Sequence, residues 1–307
     1  MRLSLVTSLY NSASHLAEFY QRSKDVCMQI APESHEIILV NDGSPDSSLA
    51  IALALRKKDK CVKVIDLSRN HGHHKALMIG LRAAEADLIY VLDCDLEESP
   101  EWCGLFKNEL EKYKVDLVFG FQGKRRGQGI ERLAGRLFYS VFNLLAGVRI
   151  HPNQTVARLM TDEYRRALIA YGERDVFFAG LCELAGFRQL PFQVVKGSGS
   201  QTTYNLSRKV GMFVASITSF SSKPLIIIFY AGLVVSIISL ASCIALVLIW
   251  LLKISPVSGW ISLMSSLWLI GGLLMLFLGV IGIYLAKIFD EVKRRPYATI
   301  RHESSED

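Results

Sequence analysis

The chain has 307 residues, 35 Lys and Arg against 29 Asp and Glu, a formal charge of +6 and a mean hydropathy of +0.27. An apolar content of 50% excludes a chain that is disordered throughout, the length excludes a small disulfide scaffold, and a charge of +6 without a basic block interleaved with aromatics argues against a nucleic-acid partner. The cysteines, Cys27, Cys61, Cys94, Cys103, Cys182 and Cys243, include no close pair at metal-ligand spacing and read as reduced thiols of a cytosol-facing protein.

From the N-terminus, the apolar runs Leu3–Leu9, Glu36–Asn41, Val62–Leu67 and Asp87–Leu92 predict buried strands, and the stretches His15–Gln29, Ser47–Lys58 and Lys75–Ala84 between them predict crossover helices. Such alternation predicts an α/β domain with a mainly parallel sheet and helices on both faces. No basic segment followed by an apolar leader precedes Leu3, so no signal peptide is expected and residues 1–205 are expected to form a cytoplasmic domain. Open parallel sheets bind ligands outside the carboxyl ends of their strands. Those ends carry Tyr10-Asn11, Asn41-Asp42-Gly43-Ser44, Ser68-Arg69-Asn70-His71-Gly72 and Asp93-Cys94-Asp95, which predicts a polar site along one rim.

Two carboxylates one residue apart, Asp93 and Asp95, repel unless a cation or hydrogen-bond donors offset their charge. An all-oxygen set favours Mg²⁺ or Mn²⁺ sharing its shell with substrate phosphates, and Glu97 is close enough in sequence to join it. His71, His73 and His74 invite a zinc reading, but no Cys or carboxylate is spaced with them, and hydrogen bonding in a loop explains them better.

Further along, residues 130–146 place Ile130, Leu133, Leu137, Phe138, Val141 and Phe142 on one stripe beside Arg132 and Arg136, the pattern of a core-packed helix or one lying in a membrane interface. No charged residue occurs from Pro224 to Leu252 or from Ile254 to Ala286. Each run exceeds the roughly 20 residues that cross a bilayer core. The expected plan is a juxtamembrane amphipathic segment at 206–223, spans at 224–252 and 261–286, a turn at 253–260 containing Pro256 and Gly259, and a cytoplasmic tail at 287–307 whose polar end, HESSED, need not be ordered. Arg208, Lys209 and Lys223 before the first span and Lys287, Lys293, Arg294 and Arg295 after the second place both termini in the cytoplasm of a multi-pass inner-membrane protein. Gly271, Gly272, Gly279 and Gly282 suggest close helix packing, and helix-mediated homo-oligomers fit the same pattern.

Taken in order, SLYN at 8–11, VNDGSPDSS at 40–48, LSRNHGHHKAL at 67–77, LDCDLEESPE at 92–101 and TSFSSKPL at 218–225 before paired spans resemble the family 2 glycosyltransferases. Within that family they are similar to the polyprenyl-phosphate glycosyltransferases, which include dolichyl-phosphate mannose synthases and bactoprenol glucosyltransferases. The resemblance implies a Rossmann-like GT-A domain followed by a two-helix transmembrane hairpin. It also implies a nucleotide-sugar donor, in the first instance a UDP-sugar, a divalent metal, an inverting transfer and a polyprenyl phosphate such as undecaprenyl phosphate as acceptor. Carried onto this chain, Tyr10, Asn11, Asp42, Arg69 and Cys94 would line the nucleotide-sugar pocket, with Asp93 near ribose and metal. Asp95 would hold the ion, and Glu97 stands where the family often has Gln. A lipid phosphate is already anionic near neutral pH, so the acceptor calls for cations rather than a general base. The candidates are Lys124, Arg125, Arg126, Arg132, Arg136, Arg158 and Lys196, Arg126 foremost as a catalytic residue alongside Asp93 and Asp95.

Some positions depart from the family pattern: Asn41 replaces a frequent Asp, Ser12 a frequent Glu, and NQTVARLM at 153–160 and QTTY at 201–204 replace other segments, which leaves the sugar open. Two other readings remain. In one, the acceptor is a sugar hydroxyl of a lipid-linked or capsular glycan and needs a general base, Asp175 or Glu183. The other is a non-catalytic membrane protein that binds nucleotide sugar.

Overall fold

The computed structural model describes residues 1–123, 150–174, 176–197, 218, 221–251 and 259–304. The chain divides into one unit of residues 1–139, 148–204 and 295–307 and a second of residues 140–147 and 205–294.

In the first unit the strands are β1 (Leu3–Leu9), β2 (His35–Asn41), β3 (Val62–Leu67), β4 (Leu88–Val91), β5 (Leu117–Gln122), β6 (Gln154–Thr161), β7 (Gln189–Val194) and β8 (Ile300–Glu303). They form one sheet in the order β7-β5-β6-β4-β1-β2-β3-β8. The helices are α1 (Leu16–Ile30), α2 (Ser48–Lys58), α3 (His73–Ala83), α4 (Trp102–Tyr113), α5 (Asp162–Ala170) and α6 (Phe178–Leu184). Neighbours among β1 to β4 pair in parallel, and β6 and β8 run antiparallel to theirs. The expected mainly parallel α/β sheet is therefore present. Every residue of β1 is buried, as a strand covered on both faces requires. In register, Leu9 lies opposite Asn41, and Asn41 opposite Asp66, so these strand ends are level and their loops share one rim.

Predicted and observed boundaries agree within a residue for the first two helices, and α3 opens earlier, at His73. Gly72 explains the shift. Its φ of 102° ends the loop abruptly, so His73 and His74 fall in the first helical turn. Gly80, in the same helix, lets α3 sit on the sheet, since a Cβ there would lie 2.4 Å from Val6 Cγ1 and 3.0 Å from Val40 Cγ2. On the opposite face Phe19, Tyr90, Cys103 and Phe106 are buried, with Tyr90 and Phe106 packed edge to face at 6.1 Å.

The tail expected to be a loose polar end instead supplies β8, antiparallel to the edge strand β3. The physical reason is the exposed row of backbone donors and acceptors on β3, which a short charged strand covers.

The second unit holds α7 (Lys223–Leu251) and α8 (Trp260–Val292). Among the described residues, Ser266–Val292 is the helix long and apolar enough to cross a membrane, 27 residues at a hydropathy of 2.5 with none of it buried. At about 1.5 Å per residue it exceeds a hydrocarbon core about 30 Å thick. Trp268 is 82% and Met275 76% exposed, which only an apolar surrounding would favour. Among the described residues, a Cβ at Gly271, Gly272, Gly279 or Gly282 would meet nothing within 4 Å, and one at Gly232 would lie 3.9 Å from Phe277, an ordinary van der Waals contact.

Helices α1 and α4 are tied by Arg22, whose Nε and Nη2 donate to the Glu101 carboxylate at 2.8 and 2.7 Å. The guanidinium holds the Glu101 pKa down at about 2, against an ordinary 4.5. A depressed carboxyl contributes stability above its unfolded pKa and loses it as pH falls through the folded one. Both partners are partly exposed, so Arg22→Ala is expected to cost less than about 1 kcal/mol at pH 7. Thermal midpoints of the detergent-solubilised chain and variant, measured from pH 7 downward, should differ most above pH 4.5 and converge toward pH 2.

Candidate active site

The rim is organised around Asp42, which follows β2 and is 1% exposed. Its Oδ1 accepts the His71 amide at 2.7 Å and its Oδ2 the Gly72 amide at 3.0 Å. Burial raises the Asp42 carboxyl above its ordinary range, and the two amides partly offset the shift. Gly43, at φ 59°, lets the two loops touch backbone to backbone, because a Cβ there would lie 2.4 Å from the Arg69 carbonyl carbon and 2.5 Å from the Asn70 nitrogen. Asn41 donates through Nδ2 to Asp66 Oδ1 at 2.7 Å, a use for the amide where a second Asp is frequent in the family.

A second lacing joins the β1 and β2 loops. Asn11 N–H donates to Ser44 Oγ at 2.8 Å and Ser12 N–H to Ser48 Oγ at 3.0 Å. Asp46 accepts from Ser44 Oγ at 2.6 Å and from the Ala13 and Ser48 amides at 3.0 Å each. Burial works against the Asp46 charge, but these donors hold its carboxyl well below the usual carboxylate range. Tyr10 is left 49% exposed beside this frame, and Asn11 takes a φ of 54°. Arg69 is exposed and donates to the Asn70 carbonyl at 3.3 Å.

At the end of β4, Asp93 Oδ1 lies 3.1 Å from His73 Nε2, and His73 Nδ1 lies 2.7 Å from Ser8 Oγ. Burial alone would lower the imidazole and raise the carboxyl, yet each outweighs it for the other: His73 is shifted up and Asp93 down. Asp95 is exposed, and its Oδ1 accepts the Glu97 amide at 3.0 Å. Glu97 turns away to Lys196, at 3.8 Å. Lys196 also makes a 2.9 Å ion pair with Glu98, whose Oε1 accepts the Val156 amide at 2.9 Å while its buried Oε2 has no partner among the described residues. Among the described residues no group of three or more His, Cys, Asp and Glu is assembled around a metal position. The oxygen donors of Asp93 and Asp95 fit a hard divalent cation as part of a shell that phosphate oxygens and water would complete.

The three histidines have separate partners. His71 Nε2 accepts the Thr299 amide at 3.3 Å, His73 faces Asp93, and His74 Nδ1 lies 3.1 Å from the Val176 carbonyl. Burial, with His73 beside it, lowers the His74 pKa to about 4. No zinc triad is formed.

Two expected phosphate ligands are placed on protein partners instead. Arg158 is 2% exposed, donates to the Val156 and Thr155 carbonyls at 3.1 and 3.0 Å, and stacks 4.7 Å over Phe178. Lys196 is engaged with Glu97 and Glu98. Cys94 is buried, and burial pushes its thiol up to about 12. Glu183 accepts from Gln154 Nε2 at 2.9 Å. Lys124, Arg125, Arg126, Arg132, Arg136, Asp175 and the 130–146 stripe lie outside the described residues. Ser8, Asp46 and Glu98 carry roles that residue type and spacing did not indicate. For Asp46 a signal was present in the Ser44, Ser47 and Ser48 cluster around it.

The acidic pair lies beyond the carboxyl end of β4, where open α/β sheets bind their ligands. Residues 4–165 match the family model described as Glycosyl transferase family 2, and the chain belongs to that family. It is 42% identical over 301 residues to a protein of Mycobacterium tuberculosis (strain CDC 1551 / Oshkosh) that carries a glycosyltransferase name, spanning 98% of this chain and 88% of the relative. Glycosyltransferase YkcC of Bacillus subtilis (strain 168) is 33% identical, with 96% and 92% covered. The bactoprenol glucosyl transferase of Shigella phage SfV is 29% identical over 308 residues, with 99% of each chain covered.

Gly43→Ala is expected to destabilise the chain by roughly 1–3 kcal/mol, because a positive φ and a backbone clash coincide there. Gly104→Ala, in α4 with nothing within 4 Å of the new methyl, should leave stability equal or slightly raised. Comparing the thermal midpoints of the two variants checks this; equal midpoints would show that the loops do not need their close approach.

Proposed function

We propose that the chain transfers a sugar from a nucleotide-sugar donor, in the first instance a UDP-sugar, to a polyprenyl phosphate such as undecaprenyl phosphate at the cytoplasmic face of the membrane. The lipid-linked sugar would serve glycan modification of the cell envelope. The observation that carries the proposal is the combination, in one chain, of an acidic rim and an exposed apolar helix of 27 residues. A relative of nearly equal length named for bactoprenol glucosyl transfer supports the acceptor class. In this reading α7 and α8 are the spans of a hairpin with both termini cytoplasmic, because the basic residues flank its outer ends.

The rim residues divide the work. Asp42 and the laced loops form the floor for the nucleoside, with Tyr10 and Asn11 at its edge. Asp93 is oriented by His73, and Asp95 remains open toward solvent, so the pair would hold Mg²⁺ or Mn²⁺. The ion, when bound, supplies charge stabilisation to the departing diphosphate. A lipid-phosphate oxygen attacks the anomeric carbon, the bond from that carbon to the diphosphate oxygen breaks, and the nucleoside diphosphate leaves with the electron pair. One such displacement inverts the anomeric configuration. The acceptor is already ionised near neutral pH, so no proton need be removed. Arg125, Arg126 and Arg132 are the cations proposed to position it, while Arg158 and Lys196 support the adjacent floor.

The test supplies the purified chain with undecaprenyl phosphate, Mg²⁺ or Mn²⁺ and a panel of radiolabelled nucleotide sugars. Label is expected in a mild-acid-labile lipid, and Asp95→Asn is expected to abolish it. Label only with a glycan acceptor, or full activity in Asp95→Asn, would overturn the acceptor class or the metal assignment respectively.

A further inference from the structure

The strand β8 lies near the C-terminal end of the described residues, and contacts of this segment reach the rim. The Ser68 amide donates to the Thr299 carbonyl at 2.8 Å, and the Thr299 amide donates to His71 Nε2 at 3.3 Å. Arg301 Nη2 donates to the Ser68 carbonyl at 2.8 Å. Thus three bonds from two tail residues grip Ser68 and His71, and the amides of His71 and its neighbour Gly72 are the ones that hold Asp42. A second route runs through the strand: Arg301 Nη1 lies 3.7 Å from Asp66 Oδ2, and Asp66 Oδ1 takes the bond from Asn41, next to Asp42.

The tail is also anchored apart from the rim. Tyr297 lies beneath Arg82, whose guanidinium is 4.8 Å from the ring centre, and Ser304 bonds both the amide and the carbonyl of Val64. Register explains the polarity of the device. Ile300 lies opposite Leu67 at the rim end of β3, while Glu303 lies opposite Ile65, further from it, and pairs loosely with Lys63 at 3.7 Å. A polar strand of four residues with every side chain exposed would add little as packing. Beyond the ladder with β3, the bonds of Thr299 and Arg301 fall on the segment whose geometry Asp42 depends on.

We infer that the segment after α8 is a clamp for the nucleotide-binding loop: Thr299 and Arg301 are positioning residues that hold Ser68–Gly72 in the conformation that secures Asp42. The structural part stands on the contacts above, and the consequence for donor binding rests on the function proposed in the preceding subsection. The chain leaves α8 at Val292 and grips the loop from Thr299, so the link between the apolar helix and the donor loop is a few residues of backbone.

The experiment uses the full chain in detergent, a truncation ending at Arg295, Arg301→Ala, Arg301→Lys, and Glu303→Gln as a control at the far end of the strand. Hydrogen–deuterium exchange is followed at residues 68–72, and UDP affinity is measured by calorimetry with Mg²⁺ present. Exchange should rise about tenfold in the truncation and in Arg301→Ala, recover in Arg301→Lys, and stay at the wild-type level in Glu303→Gln. UDP affinity should fall about tenfold in the first two, and in turnover the donor KM should rise with kcat unchanged. Unchanged exchange in the truncation and in Arg301→Ala overturns the clamp, as does an equal effect of Glu303→Gln. If exchange rises as expected while the wild-type chain binds no UDP, the clamp stands and the assignment of a UDP-sugar donor fails.

Discussion

A buried carboxylate is stable only where donors meet it, and Asp42 meets two backbone amides from a different loop, that of His71 at 2.7 Å and that of Gly72 at 3.0 Å. Backbone donors cannot rotate to follow a side chain, so the satisfied carboxylate fixes the β2 and β3 loops against each other. Gly43 is the steric condition for this contact, since any Cβ would collide with the Arg69 backbone. The level ends of the parallel strands supply the rest: once β1, β2 and β3 are in register, their loops are neighbours.

The second polar centre is built on different terms. Asp93 is held by an imidazole that is itself held by Ser8, while Glu98 draws in Lys196 and the Val156 amide. Both contacts are at least partly withdrawn from water, and such pairs are poor sources of net stability because desolvation offsets their attraction. Their use lies in position. They hold the residues around Asp95 in place, and its carboxylate is exposed, as the proposed contact with a cation and a diphosphate requires.

Much of this was legible from the residues. The four apolar runs are parallel strands because a strand buried on both faces reads as continuous hydrophobic sequence, and the polar clusters after them mark the rim. The partners of Arg158 and Lys196 were not legible. Both look like phosphate ligands in sequence, and only the folded chain shows that Arg158 turns back onto the Thr155 and Val156 carbonyls of its own strand and that the segment after β7 brings Lys196 to Glu97 and Glu98. Nor was β8, whose sequence IRHE lacks apolar alternation and forms a strand only because the edge of β3 is open to it. The tail of the sequence is thereby bonded to the β3 loop at the rim.

The most direct test of the central claim is sugar transfer by Asp42→Asn, which keeps the shape of the side chain but sets an NH₂ group against one of the two amides. Losing a buried hydrogen bond to a charged group costs about 1.5–3 kcal/mol. The chain should remain folded, by its thermal transition, while transfer to the lipid phosphate falls at least about tenfold, as such a loss implies. Transfer at the wild-type rate by a folded Asp42→Asn chain would contradict the account.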